Sequence, residues 1–338
     1  MGNWLSRLMG RDEEPAEPVL EQELEQSAQS DPEQTLRILH TLDVDQLYYR
    51  WLIGQQGRTP LPESVLDKKI LQAMQMLADS EGGGSNLVPR VPAVIPQLLR
   101  SLRDEEMSAH ELARQIAHDV VLVAEVIHEA NSPFYRPAKP IASLESAIML
   151  LGQNGLRLLV ARVAFRPIIN MQAGRFAKQA APHIWAQAEL CADACSILGP
   201  AQGADPFESF LSGLMQNVGL IVTFRMIDRA YQGQFLPDSD EFCLQFMQKV
   251  RLISSRIAKS WEFPASVEQV IAHLGQLDHP VMQAALGRVL QQADQISKLR
   301  LLIDHGQLEE DEPFARMGLP APALHCLDQL KRRKEMAA

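Results

Sequence analysis

Apolar residues recur along this chain at the three- and four-residue spacing of a single helix face, and no convincing alternation marks a strand. Asp31-Pro32 reads as a helix start, with Asp as N-cap and Pro at the first helical position. Leu36, Leu39, Leu42 and Leu47 follow at helical intervals, and TPLPES (59–64) interrupts them. Val65, Ile70, Leu71, Met74 and Leu77 then carry a second stripe. SEGGGSN (80–86) holds three consecutive glycines, which behave as a flexible joint. Beyond it, VPRVPAVIPQLLRSL is a proline-punctuated entry to a helix, and Ser108 with Glu111 forms a capping box for HELARQIAH. Asp119 reads as the cap of VVLVAEVIHEA, whose nearly all-round apolar surface predicts a central core helix. Ser143 opens SLESAIMLLG, and Gly152 is expected to close it as a left-handed cap. Further helices are predicted near 183–198, 207–228, 241–260, 265–275 and 280–304. No repeat of fixed period is present.

The predicted fold class is all-α. Residues 1–32, acidic and rich in Glu, Gln and Pro, read as a disordered leader. Residues 33–80 read as a small helical module, 81–86 as a Gly-rich linker, 87–280 as the main domain, and 281–338 as C-terminal helices packing on it.

Composition narrows the function classes. With 338 residues and 46% hydrophobic content, the chain can bury a sizeable core. A net charge of −10 argues against a nucleic-acid partner. The single basic run, KRRK (331–334), reads as a solvated helix end. Cys191, Cys195, Cys243 and Cys326 have no zinc-finger spacing and read as free buried thiols of a reducing cytoplasm. Met1–Gly10 is too short and polar for a secretory signal, and no run of roughly 18 consecutive apolar residues occurs. MGNWLS matches a myristoylation pattern through Gly2 and Ser6, and Trp4, Leu5, Leu8 and Met9 could form a short sticky turn. Neither is expected to give stable membrane anchoring, and the expected location is the cytoplasm. Phosphate loops, GxSxG elbows and dinucleotide fingerprints are missing from the sequence, so no cofactor is expected.

Four segments, in order, resemble the HDOD family, the HD-related output domain of bacterial signalling proteins. They are VPRVPAVIPQLL (88–99), ANSPFYRPAKPIASLESAIMLLGQNGLRLLV (130–160), FLSGLMQNVGL (210–220) and SWEFPASVEQVIAH (260–273). The resemblance covers about 87–280 and implies a two-lobed helical domain, its second lobe related to HD-type metal phosphohydrolases. The second segment also has a reading of its own. Asn131 and Ser132 end a helix and can bond its freed carbonyls, Phe134 and Tyr135 can cover that end, and Pro137 and Pro140 stiffen the path to Ser143. This loop is either architecture or an exposed docking surface.

The resemblance fails where metal-dependent HD hydrolases hold their ions. There the family frame has an early His, a His-Asp pair and a later Asp. The early His position falls on Gln187, the His-Asp pair on Gln216 and Asn217, and a Lys that often follows on Leu220. Neutral amide oxygens lack the charge of a carboxylate and the donor strength of imidazole, so no catalytic metal is expected. His118-Asp119 is an HD dipeptide in the wrong place, better explained by capping, and His183, His273, His279 and His305 show no helical ligand spacing. The expected function is therefore a non-catalytic regulatory module whose partners are other signalling proteins. Two alternatives are a nucleotide-type sensor in the vestigial cleft and a divergent metal-dependent phosphohydrolase.

Overall fold

The computed structural model describes residues 43–55, 64–80, 108–117, 120–132, 135, 137–170, 174–310, 316 and 318–337. Every regular element among them is α-helical. The acidic leader, the Gly-rich linker, the His118-Asp119 dipeptide and Phe134 lie outside the described residues.

Helix α1 spans 43–52 and α2 Val65–Asp79. Ser64 caps α2 reciprocally with Asp67, which explains why the Pro-rich break ends there. Ser108 and Glu111 make the same box at α3, Ala109–Ile116. Helix α4, Val120–Ala130, packs with α3 against α5, Leu144–Asn170. Ser143 caps α5 through a bond from the Ser146 N–H at 3.2 Å. Gly152 takes φ +67° with ψ −178°, not the left-handed helical cap expected of it, and the chain re-enters helix at once, so the glycine is a break inside α5.

The second lobe is built around α6, Arg175–Gln202, which runs with α7 (Pro206–Met215), α8 (Val218–Ala230) and α12 (Ala285–Asp304) as neighbours. Its buried face is mostly Ala, Cys and Gly, small enough for close helix approach. A Cβ on Gly213 of α7 would meet the Ala192 backbone at 2.8 Å. The sequence places the start of α6 near 183, after Pro182. In the structure it begins eight residues earlier, because Asp228 of α8 caps it from across the lobe, accepting from the Phe176 and Ala177 N–H groups at 2.9 Å. That cap is remote in sequence, and burial of Phe176, Ala177, Ala180 and Ala181 holds the extra turns despite the proline.

Helices α9 (Asp240–Ser260), α10 (Ala265–Ala272), α11 (Pro280–Gln283) and α13 (Ala321–Ala337) complete the lobe, with α13 packed on α12 and α6. The N-terminal helices share this core. Helix α2 packs on α9, Tyr48 and Tyr49 of α1 are fully buried, and Tyr49 donates to the Pro237 carbonyl at 2.9 Å. Burying a large apolar side chain contributes roughly 1.5–3 kcal/mol, so α1 is tied firmly to the second lobe. The four cysteines are free and buried.

Two stretches, Leu144–Arg166 and Pro206–Ala230, are long and apolar enough by composition to cross a membrane. A count of consecutive apolar residues passes over both. The second is 94% buried against the protein's own helices, which accounts for its composition.

Candidate functional site

The sequence reads 207–228 as one helix. The structure breaks it at Gln216 and Asn217, between α7 and α8. Asn217 sits at the N-cap of α8 but makes no side-chain capping bond there. Its side chain turns inward instead, and the Gly219 N–H is satisfied by Ser254 Oγ of α9 at 2.9 Å. This break brings Gln216 and Asn217 together with Gln187 of α6, all three at 1% exposure or less.

One amide organises the cluster. Gln187 Oε1 accepts from Gln216 Nε2 at 2.9 Å and from Asn217 Nδ2 at 2.7 Å. Gln187 Nε2 donates to Asp294 Oδ1 at 3.1 Å and to Ser297 Oγ at 2.9 Å, both on α12. The carbonyl oxygens of Gln216 and Asn217 are buried and carry no hydrogen bond among the described residues. Leu220 is fully buried in the apolar core.

Beyond Asp294 the network becomes ionic. Lys298, one helical turn further along α12, donates to Asp294 Oδ2 and to Asp45 Oδ1 of α1, each at 2.6 Å. Arg251 of α9 donates from Nη2 to Asp45 Oδ2 at 2.5 Å and lies 3.8 Å from Asp294. All four side chains are at most 6% exposed. Two carboxylates face two cations, so the buried tetrad is neutral, as its setting requires. Burial would raise the Asp45 carboxyl, but the charges of Arg251 and Lys298 outweigh it and hold that group low. For Asp294 burial wins over Lys298, the Asp45 charge adds to it, and the carboxyl is raised.

The sequence reading did not single out Asp45, Arg251, Asp294 or Lys298. Asp294 and Lys298 stand four apart in QADQISKLR, which looks like an ordinary solvated helix pair. Asp45 and Arg251 are 206 residues apart in sequence. Nothing local marks them.

The signature loop lies elsewhere. Asn131 Nδ2 donates to the carbonyls of Ile127 and Ile141, and its Oδ1 accepts from the Ile141 N–H, all at 2.8 Å. It thus staples the end of α4 to the segment that returns toward α5. Ser132 departs from the expectation that it would bond a freed carbonyl, since its buried hydroxyl has no hydrogen bond among the described residues. Tyr135 packs against the core, with its hydroxyl pushed up to about 12 by burial. Pro140 is exposed.

Near Tyr135 the lobes meet through charge. Arg162 of α5 pairs with Asp193 of α6 at 2.5 Å, and Arg166 of α5 lies 3.5 Å from Glu129 of α4. Glu189 of α6 sits among them, pushed up to about 7 by burial, with Glu129 and Asp193 adding and Arg162 and Arg166 opposing.

The histidines pair through tertiary contacts the sequence spacing hides. His273 stacks on His279 with ring centroids 3.6 Å apart, and His183 and His305 both pack on Trp51. Among the described residues no group of three or more His, Cys, Asp or Glu side chains is placed to hold a metal ion.

The HDOD domain family matches residues 88–277. An HDOD domain protein of unknown function from Geobacter sulfurreducens has a similar structure, with a TM-score of 0.58 at 21% identity over 79% of this chain and 95% of that one. A protein from Shewanella amazonensis SB2B, named for a metal-dependent phosphohydrolase, gives 0.54 at 19% identity over 80% of this chain and 99% of that one. A protein from Marinobacter aquaeolei VT8, named for signal transduction, gives 0.50 at 16% identity over 88% of this chain and 64% of that one. At these identities the likeness is one of fold. No curated protein matches the sequence.

Proposed function

The chain belongs to the HDOD family, and from that premise we propose that it is a regulatory protein of signal transduction that acts by binding other proteins and carries no catalytic metal. One observation supports this reading above the rest. Gln187, Gln216 and Asn217 are bonded to one another and, through Asp294, to an internal neutral ion-pair network. Metal-assisted phosphoester hydrolysis needs an ion with an open coordination position for water or phosphate. Here the carboxylate nearest those positions is already neutralised by the Lys298 ammonium. The names borne by the Shewanella and Marinobacter proteins fit a fold that serves both catalytic and signalling roles, and the polar chemistry of this buried cluster favours the second. Free, buried cysteines suit a reducing cytoplasm.

The test is the metal content of the full chain purified after growth with manganese, iron and magnesium. The expected result is well under one metal per chain, unchanged in a Gln216→Ala, Asn217→Ala double variant. One tightly held ion per chain that disappears in the double variant overturns the reading. The partner side is tested by affinity capture from lysate with the full chain, where a specific signalling protein is expected to be retained.

A further inference from the structure

The buried tetrad is asymmetric in where its charges come from. Arg251, Asp294 and Lys298 belong to α9 and α12 of the second lobe, while Asp45 alone is delivered by the N-terminal helix α1. Without Asp45, two cations would face one carboxylate, leaving a net positive charge in a buried site. Such a site attracts an oxyanion strongly, because guanidinium and ammonium donors bond charged oxygens well and water is excluded. The site also has a donor to spare, since Arg251 Nε is buried without a hydrogen bond among the described residues. Gly275 makes room for the guanidinium, since a Cβ there would come within 2.5 Å of Arg251 Nη1.

We propose that Arg251 and Lys298 form a binding site for a small oxyanion, a carboxylate or a phosphate group, in which the Asp45 carboxylate is the resident ligand and α1 the stopper. The protein carries its own occupant, and a soluble anion takes the site only where the Asp45 carboxylate is removed. This goes beyond the regulatory reading and does not depend on it.

Asp45→Ala removes the occupant and keeps a good helix former in α1. Full-length wild type, Asp45→Ala, and Asp45→Ala with Arg251→Met are heated with sodium formate, sodium phosphate or sodium chloride at matched ionic strength. A ligand that binds only the folded state raises its melting temperature. For Asp45→Ala, formate or phosphate is expected to raise it by about 2 °C or more over chloride, and the more effective anion names the ligand class. Wild type should show no such excess, and the double variant should lose it. If Asp45→Ala does not fold unaided, its refolding yield in each salt is the readout, with formate or phosphate expected to restore it above chloride. No preference for either oxyanion over chloride overturns the proposal. So does an equal preference in wild type or in the double variant. A metal found in wild type would end the regulatory reading and leave this site standing, whereas failure of the oxyanions ends the site and says nothing of the metal.

Discussion

Gln187 holds together what a histidine at the same place could not. An amide offers an acceptor and two donors at one end of the side chain, so it can bridge the amides of Gln216 and Asn217 on one side and Asp294 with Ser297 on the other. Truncating it leaves two buried donors and part of a buried carboxylate unpaired, in addition to a cavity. Gln187→Ala is therefore expected to lower stability by about 3 kcal/mol, measured by chemical denaturation. A loss below 1 kcal/mol would mean that water replaces the amide. At this scale the sequence identified Gln187, Gln216 and Asn217 as one cluster by family frame. It gave no hint of Asp45 or Arg251, because ion pairing across 206 residues leaves no local pattern.

At the scale of elements, periodicity located the helices but not their joints. Gly152 carries a local stop signal yet the helix resumes beyond it, whereas the Gln216–Asn217 break interrupts a stretch that reads as continuous. Packing makes the difference. The break at 216–217 lets α8 approach α9, where a Cβ on Gly219 would meet the Val250 carbonyl at 2.4 Å. Close approach between α6 and α7 depends likewise on Gly213, whose added Cβ would meet main-chain atoms of Cys191 and Ala192 that cannot turn aside. Gly213→Ala is expected to cost about 2 kcal/mol or more in the same denaturation measurement, even though alanine favours helix by about 1 kcal/mol over glycine. An unchanged or raised stability would show that the two helices separate at little expense.

Across the whole molecule, the lobes are joined by a charged seam as well as by apolar contact. Glu189 titrates at about 7 in the folded chain against an ordinary 4.5, so the folded state holds a proton that the unfolded state releases. Its contribution is full below about 4.5 and is lost as pH rises through about 7. Glu189→Gln keeps the shape and removes the titration. The variant is expected to gain stability over wild type as pH rises from 5 to 8, by on the order of 2 kcal/mol at the upper end. Denaturation curves taken across that range that differ by a constant offset would rule the seam out as the titrating element. The sequence by itself determined the helical class and the caps at Ser108 and Ser143, because each rests on residues within a few turns of one another. Only the tertiary structure decided that α1 closes the second lobe, that Asp228 starts α6 from afar, and that Lys298 is clamped between two carboxylates. Those outcomes depend on which buried charges and unpaired backbone groups meet once the helices pack. Desolvation forces such groups to find partners, and chain order does not say which partners are within reach.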